Sequence, residues 1–126
     1  MQFPPAFLPS LSGLEGFDQT SFEAVHQSGE QVTSIRLNPS KIKDPSSLAF
    51  YQDIKSSIPW CQYGYYLNKR PSFTFDPLLH AGCYYVQEAS SMFLEQALKQ
   101  TVNTGKPLKV LDLCAAPGGK STHLQS

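Results

Sequence analysis

A loop of small residues near the carboxyl end of the chain has the spacing with the clearest chemical meaning. At the end of the apolar stretch that starts at Leu108, an acid and three small residues occupy every second position: Asp112, Cys114, Ala116 and Gly118. Small residues let the backbone turn sharply and approach a ligand closely, and a helix that follows presents free N–H groups. The pattern predicts a strand followed by a loop that binds a nucleotide-like cofactor.

The spacing of this loop allows some types of site and excludes another. It fits the D-x-G-x-G-x-G pattern of Rossmann-type cofactor sites, with Cys114 and Ala116 in place of two glycines. Gly119-Lys120-Ser121 looks like the end of a phosphate-binding P-loop, but that motif needs glycine at position 114. A dinucleotide site and an ordinary strand-to-helix turn that binds nothing both remain open on spacing alone.

Two longer elements are expected to position the loop. A helix without proline or glycine is predicted from Gln87 to Gln100. The stretch at 108–113 has little polar interruption, which is typical of a strand covered on both faces. Thirteen residues follow Leu113, too few for a crossover helix and a return strand. We therefore expect the chain to be the N-terminal part of a longer protein.

Shorter elements are predicted upstream. Pro4-Pro5 opens one short helix, and a second is capped by Asp18 or Thr20 and ended by Gly29. Strands are predicted at 32–37 and, after the glycine at position 82, at 84–86. A helix that begins at 44–46 is expected to carry three apolar residues at helical spacing: Leu48, Tyr51 and Ile54.

The stretch at 60–75 is rich in aromatic residues and is predicted to be extended. Tyr63 and Tyr65 would then share one face of a strand, with Tyr66 on the other. Tyrosines can stack on bases, but this segment lacks the leading basic residue and the small fourth position of an RNA-recognition motif. Packing in the core is therefore the favoured role for these rings.

Composition excludes several classes of protein. Ten basic and ten acidic residues give a formal net charge of zero, so the whole chain has no footprint for nucleic acid or an anionic membrane. The three cysteines form no CxxC pair and suit a reducing compartment. The proline-rich N-terminus is not a signal peptide, and no apolar run could span a membrane. We expect a cytoplasmic protein, and the scattered histidines show no metal-ligand spacing.

Three segments resemble signatures of the Sun/nucleolar-antigen family of RNA cytosine-5 methyltransferases. Val-Leu-Asp-Leu-Cys-Ala-Ala-Pro-Gly-Gly-Lys-Ser-Thr-His at 110–123 is similar to the family's cofactor motif. Ala-Gly-Cys-Tyr-Tyr-Val-Gln-Glu-Ala-Ser-Ser-Met at 81–92 is similar to the segment before it, and Ser-Ile-Arg-Leu-Asn-Pro at 34–39 to a signature of the accessory region. The three occur in family order, and the chain looks similar to bacterial enzymes that act on 16S ribosomal RNA.

The resemblance implies an enzyme that uses S-adenosylmethionine to methylate cytosine C5 in RNA. In the family, a cysteine thiolate attacks C6 of a flipped cytosine, and a second cysteine helps to remove the C5 proton. In the family, these two cysteines follow a proline and a threonine, in Pro-Cys and Thr-Cys motifs. The three cysteines of this chain follow Trp60, Gly82 and Leu113 instead. We therefore expect no catalytic residue in this chain and no methyltransferase activity from the chain alone.

The expected architecture is α+β. Residues 1–85 would form a small accessory module, and residues 86–126 the helix, first strand and turn of a truncated Rossmann-like methyltransferase domain. The resemblance implies a cofactor-binding segment of seven residues: Cys114, Ala115, Ala116, Pro117, Gly118, Gly119 and Lys120. Cofactor affinity should be weak without the remaining strands. Arg36 is the candidate RNA contact, or else the partner of a carboxylate, and a non-catalytic RNA-binding module is the alternative function.

Overall fold

The computed structural model describes residues 3–103 and 105–126. The chain divides into two compact units, Met1–Gln31 and Val32–Ser126. Within the described ranges, no helix has both the length and the apolar character needed to cross a bilayer.

The first unit contains two helices, α1 (Phe7–Leu11) and α2 (Gln19–Ser28). The side chain of Asp18 caps α2 by accepting a hydrogen bond from the amide of Ser21 at 2.6 Å. Gly29 ends the helix in the left-handed conformation, with φ of 67°. The two predicted helices are confirmed, and of the two caps considered, Asp18 is the one used.

The second unit is built on a four-stranded antiparallel sheet. Its strands are β1 (Thr33–Leu37), β2 (Ile54–Ser57), β3 (Gly64–Leu67) and β4 (Tyr84–Val86), in the order β2-β3-β1-β4. Ile35 lies opposite Tyr65 on one side and Val86 on the other. The strands expected at 32–37 and 84–86 are confirmed, and so is the α+β class.

The sheet separates two clusters of buried side chains. One contains residues of β1, β3 and β4 and of the connections that precede β2 and follow β3: Ile35, Leu37, Leu48, Phe50, Leu67, Phe73 and Tyr84. The other consists of Ile58, Cys61 and Met92. Tyr63 and Tyr65 pack against the first cluster and Tyr66 against the second, so the predicted division of these rings between two faces is confirmed.

The prediction of a helix that begins at 44–46 is wrong. The chain forms two 3-10 turns instead, Pro45–Ser47 and Tyr51–Asp53. Leu48 between them is extended, with φ of −80° and ψ of 136°, and both Leu48 and Phe50 are buried in the first cluster. The burial of Leu48 and Phe50 against the sheet outweighs the helical spacing of the sequence. A single helix could not place both side chains in the cluster, whereas the two turns and the extended residue between them do.

The helix predicted at 87–100 begins later than expected. A 3-10 turn covers Ser90–Phe93, and helix α4 extends over Leu94–Thr101. The amide of Gln87 donates to Ser34 O at 3.2 Å, which extends the pairing of β1 with β4. Trp60 Nε1 donates to Ala89 O at 2.7 Å. These long-range bonds hold the predicted first turn outside the α-helix.

A short helix, α3 (Pro77–His80), precedes β4.

The strand predicted at 108–113 is not formed in the structure. Leu111 is 80% exposed and Leu113 is 85% exposed, and in the described part of the chain no strand pairs with this stretch. A strand is stable only when neighbours satisfy its backbone and cover its side chains, and none lies beside it here. Helix α5 (Gly119–Gln125) follows the loop.

Candidate functional site

Asp112 organises the predicted cofactor loop from within. Its Oδ1 accepts a hydrogen bond from the Cys114 amide at 3.0 Å, and its Oδ2 accepts one from the Ser121 hydroxyl at 2.5 Å. The bond from Ser121, and then that from Cys114, lowers the pKa of the Asp112 carboxyl. The carboxylate thus joins the beginning of the loop to the first turn of α5.

The loop packs closely against β4. Tyr85 Oη donates a hydrogen bond to Pro117 O at 3.1 Å. A Cβ atom on Gly119 would lie 3.3 Å from Cε1 of the same tyrosine ring, so a larger residue would push the loop away. Gly118, which precedes α5, has φ of 106°, a conformation that residues with a side chain rarely adopt. The path of the backbone therefore favours glycine at position 118, and position 119 leaves little room for a side chain.

A cleft of about 300 Å³ lies between this loop and the segment that follows β4. One wall consists of Tyr85, Val86, Gln87, Glu88 and Ser91, and the other of the seven residues from Cys114 to Lys120. The fold thus places two segments singled out in the sequence, 81–92 and 110–123, on opposite sides of one cleft. The thiol-bearing residue of the loop, Cys114, is exposed.

Gln87 is the polar residue most closely associated with the cleft. Its side chain is buried, and its Nε2 has no hydrogen-bond partner among the residues that the structure describes. That nitrogen lies 3.8 Å from the position of a Cβ on Gly119. A buried donor without a partner is costly unless a ligand accepts its hydrogen. The site therefore offers a donor to a bound group.

Arg36 lies at the back of the same region and is only 2% exposed. Its guanidinium donates three hydrogen bonds, through Nε to Gln87 Oε1 at 3.0 Å, Nη2 to Thr122 Oγ1 at 2.9 Å and Nη1 to Ser126 Oγ at 3.0 Å. Burial lowers its pKa. These bonds join β1 to the residue after β4 and to α5. Contact of Arg36 with RNA stays a prediction, and it would require these bonds to open.

Residues 3–89 match the model of a family described as the N-terminal domain of 16S rRNA methyltransferase RsmF. The chain belongs to this family. Ribosomal RNA small subunit methyltransferase F of Erwinia tasmaniensis is 35% identical over 132 residues, which cover 97% of this chain and 27% of that protein. The protein of the same name from Pectobacterium atrosepticum is 38% identical over 100 residues, 72% of this chain and 20% of that protein.

A solved structure agrees with the sequence relatives. The crystal structure of a methyltransferase homolog protein from Pyrococcus horikoshii matches with a TM-score of 0.57 and 28% identity, over 97% of this chain and 44% of that one. The resemblance found in the sequence is confirmed. This RsmF-type chain spans about a quarter of the length of the curated relatives that it matches.

The RsmF-type chain holds a second cluster of reactive side chains that its sequence did not predict. Cys61, Glu95 and His123 each offer one ligand atom, and these atoms lie within 4.8 Å of one another. His123 Nε2 is 3.8 Å from Cys61 Sγ and 3.2 Å from Glu95 Oε2. Separations of 62 and 28 residues along the chain leave no local motif that could have indicated the cluster.

The protonation of this cluster follows from burial and from nearby charges. Burial, and then the neighbouring Glu95, raises the pKa of the Cys61 thiol to about 12. Burial opposes ionisation of Glu95, but hydrogen bonds from Lys99, Cys61 and His123 outweigh it and lower its pKa to about 2. Burial, and then Arg36, lowers the pKa of His123. At neutral pH the cluster therefore holds a thiol, a carboxylate and an uncharged imidazole.

Proposed function

We propose that this chain is the N-terminal part of an S-adenosylmethionine-dependent RNA cytosine-5 methyltransferase that acts on ribosomal RNA in the cytoplasm. The observation that carries the proposal is the cleft between the loop at 114–120 and the segment at 85–91. The names of the relatives, which are ribosomal RNA methyltransferases, support the substrate class.

The proposed division of labour follows the chain. Residues 1–85 form the accessory module, and residues 86–126 begin a Rossmann-like cofactor domain. The end of the family match at residue 89 supports a boundary in this region. The apolar stretch at 108–113, exposed in this chain, would be the first strand of that domain once neighbouring strands cover it.

The residues of the cleft fit a cofactor with acceptor atoms. S-adenosylmethionine, when bound, supplies an activated methyl group. Cys114 to Lys120 would bind it mainly through backbone groups, since Gly118 and Gly119 let the main chain approach closely. The buried Nε2 of Gln87 would donate a hydrogen bond to it, and Arg36 would hold the amide of Gln87 in place.

The chain is not expected to perform the methyl transfer alone. The thiol of Cys61 is protonated at neutral pH because burial and Glu95 raise its pKa to about 12, and a thiol is a poor nucleophile compared with a thiolate. We assign Cys114 the role of a small residue that fits the turn of the loop, where its amide donates to Asp112. The nucleophile and the proton-removing cysteine would come from other parts of the full-length enzyme.

Magnetic resonance of the isotope-labelled chain, titrated with S-adenosylmethionine to millimolar concentration, tests the cofactor assignment. We expect amide shifts at 114–120 and side-chain amide shifts at Gln87, because these groups line the cleft. Gly119→Ala should abolish them, since its Cβ would crowd the ring of Tyr85. Gly13→Ala, whose Cβ meets nothing within 4 Å, is the control.

The outcome separates the two candidate functions. Shifts elsewhere, or the same shifts in Gly119→Ala, would refute the assigned site. Binding of ribosomal RNA fragments together with no response to the cofactor would favour the non-catalytic RNA-binding module. Transfer of a radiolabelled methyl group to RNA by the purified 126-residue chain would contradict the expected inactivity.

A further inference from the structure

Three donor atoms converge at a point away from the cofactor cleft. Cys61 lies in the connection between β2 and β3, Glu95 in α4 and His123 in α5. A thiolate, a carboxylate and an imidazole together form a donor set typical of zinc and of related divalent ions of the first transition row. Hard ions such as magnesium and calcium would instead prefer oxygen ligands alone.

The distances suit one ion shared by the three side chains. Sulfur, nitrogen and oxygen ligands bound to zinc at tetrahedral angles lie about 3.3 to 3.6 Å apart, given bond lengths of about 2.0 to 2.3 Å. His123 Nε2 lies 3.8 Å from Cys61 Sγ and 3.2 Å from Glu95 Oε2. Only small movements of the side chains would bring all three atoms to bonding distance of a central ion.

A catalytic triad is a poorer explanation of the same cluster. In a triad, one histidine nitrogen contacts the nucleophile and the other contacts the acid. Here the single atom Nε2 of His123 faces both Cys61 and Glu95. Nδ1 is buried and has no partner in the part of the chain that the structure describes. Two other potential ligand atoms, Cys61 Sγ and Glu95 Oε2, lie beside this one nitrogen, which is the arrangement expected around a metal ion.

We propose that Cys61, Glu95 and His123 bind one divalent cation, either zinc or a related ion of the first transition row. Binding would expel the thiol proton of Cys61 to solvent and place the proton of His123 on Nδ1. The two anionic ligands would neutralise the ion. Lys99 holds the other oxygen of Glu95, Oε1, at 2.5 Å and so orients the carboxylate. The three ligands border a cavity of about 490 Å³, which can admit a water as the fourth ligand.

The site would have a structural effect on the cofactor loop. It would fasten α5, which begins directly after the loop, to α4 and to the connection before β3. This assignment does not depend on the proposed methyltransferase function, since the ion would be bound whether or not the cleft takes a cofactor.

Cobalt(II) titration of the chain after treatment with a chelator tests the site. We expect a near-ultraviolet thiolate-to-cobalt band that saturates at one equivalent. The band should disappear in Cys61→Ser, because no thiolate remains in the cluster. It should persist in Cys114→Ser, which removes the one exposed thiol among the described cysteines. Glu95→Gln should weaken cobalt binding by more than about tenfold.

The proposal would be overturned by no band at stoichiometric cobalt, by a band that survives in Cys61→Ser, or by a band lost in Cys114→Ser. If circular dichroism shows that Cys61→Ser fails to fold, Glu95→Gln decides, because its side chain lies nearer the surface. Unchanged cobalt affinity in that variant would refute the site.

Discussion

The central strand β1 is buried although it contains polar residues, whereas the stretch at 108–113 is exposed although most of its residues are apolar. All five residues of β1 are buried, although they include Ser34 and Arg36. The apolar residues of 108–113 are largely exposed, with Leu113 at 85%. β1 has a hydrogen-bonded neighbour on each side, whereas in the described part of the chain 108–113 has none. Burial here depends on available neighbours more than on side-chain polarity.

Ser34 and Arg36 of β1 are tolerated in the interior because each has partners. Ser34 Oγ donates to Gln87 O at 2.6 Å, and Arg36 donates through three nitrogens. A buried polar group costs little when it is hydrogen-bonded, and an exposed leucine contributes little when nothing covers it. The predictions below test this contrast, from the largest expected effect to the smallest.

Ile35→Ala should have the largest effect on stability. Ile35 is fully buried in the first cluster, so the truncation leaves a cavity and should cost about 3 kcal/mol in the free energy of unfolding. Leu113→Ala is the matched change in the exposed stretch and should cost less than about 0.5 kcal/mol. Urea denaturation measures both. A comparable cost at Leu113 would mean that something covers the stretch in solution.

Arg36→Met should cost about 2 kcal/mol, because it leaves the buried amide oxygen of Gln87 and the hydroxyl of Thr122 without their charged donor. Lys55→Met, at an exposed position on β2, should change the free energy of unfolding by no more than about 0.5 kcal/mol. The two variants are compared by urea denaturation. Equal effects would show that the polar side chain of β1 is not bonded as described.

Tyr84→Phe should cost about 1 kcal/mol, since it removes the hydrogen bond of 2.7 Å from Tyr84 Oη to Asp76 Oδ2. Burial, and then Asp76, raises the pKa of Tyr84. Its contribution is therefore complete below the unfolded pKa near 10 and is lost as pH rises through the folded pKa. Stability measured above pH 10 should fall less in Tyr84→Phe than in the original chain. Tyr51→Phe, at an exposed ring, should leave that fall unchanged.

Asp112→Ala should have the smallest global effect and a clear local one. The residue is only half-buried and its two chain neighbours are exposed, so the unfolding midpoint should move little, but the loop loses the acceptor of the Cys114 amide and of the Ser121 hydroxyl. Hydrogen exchange followed by mass spectrometry should show faster exchange in peptides that cover 112–121. Lys109→Ala should leave that rate unchanged, and an equal acceleration there would show that Asp112 does not organise the loop.

Local signals in the sequence predicted much of the fold and one of the two candidate sites. Asp18 and Gly29 marked the limits of α2, because capping and left-handed turns depend on adjacent residues. The period of two correctly divided Tyr65 from Tyr66. The start of α4 was missed, since a bond from Trp60, almost thirty residues away, holds Ala89 outside the helix.

The sequence by itself indicated the family, through the resemblance of three segments to its signatures, and predicted a cofactor loop, because the small residues at 114–120 and the acid before them are contiguous and their spacing has a direct geometric meaning. Only the tertiary structure decided that this loop faces Gln87, that Arg36 is enclosed, and that Cys61, Glu95 and His123 meet. These relations join residues far apart in the chain. They depend on how the sheet and helices pack, which no local pattern encodes.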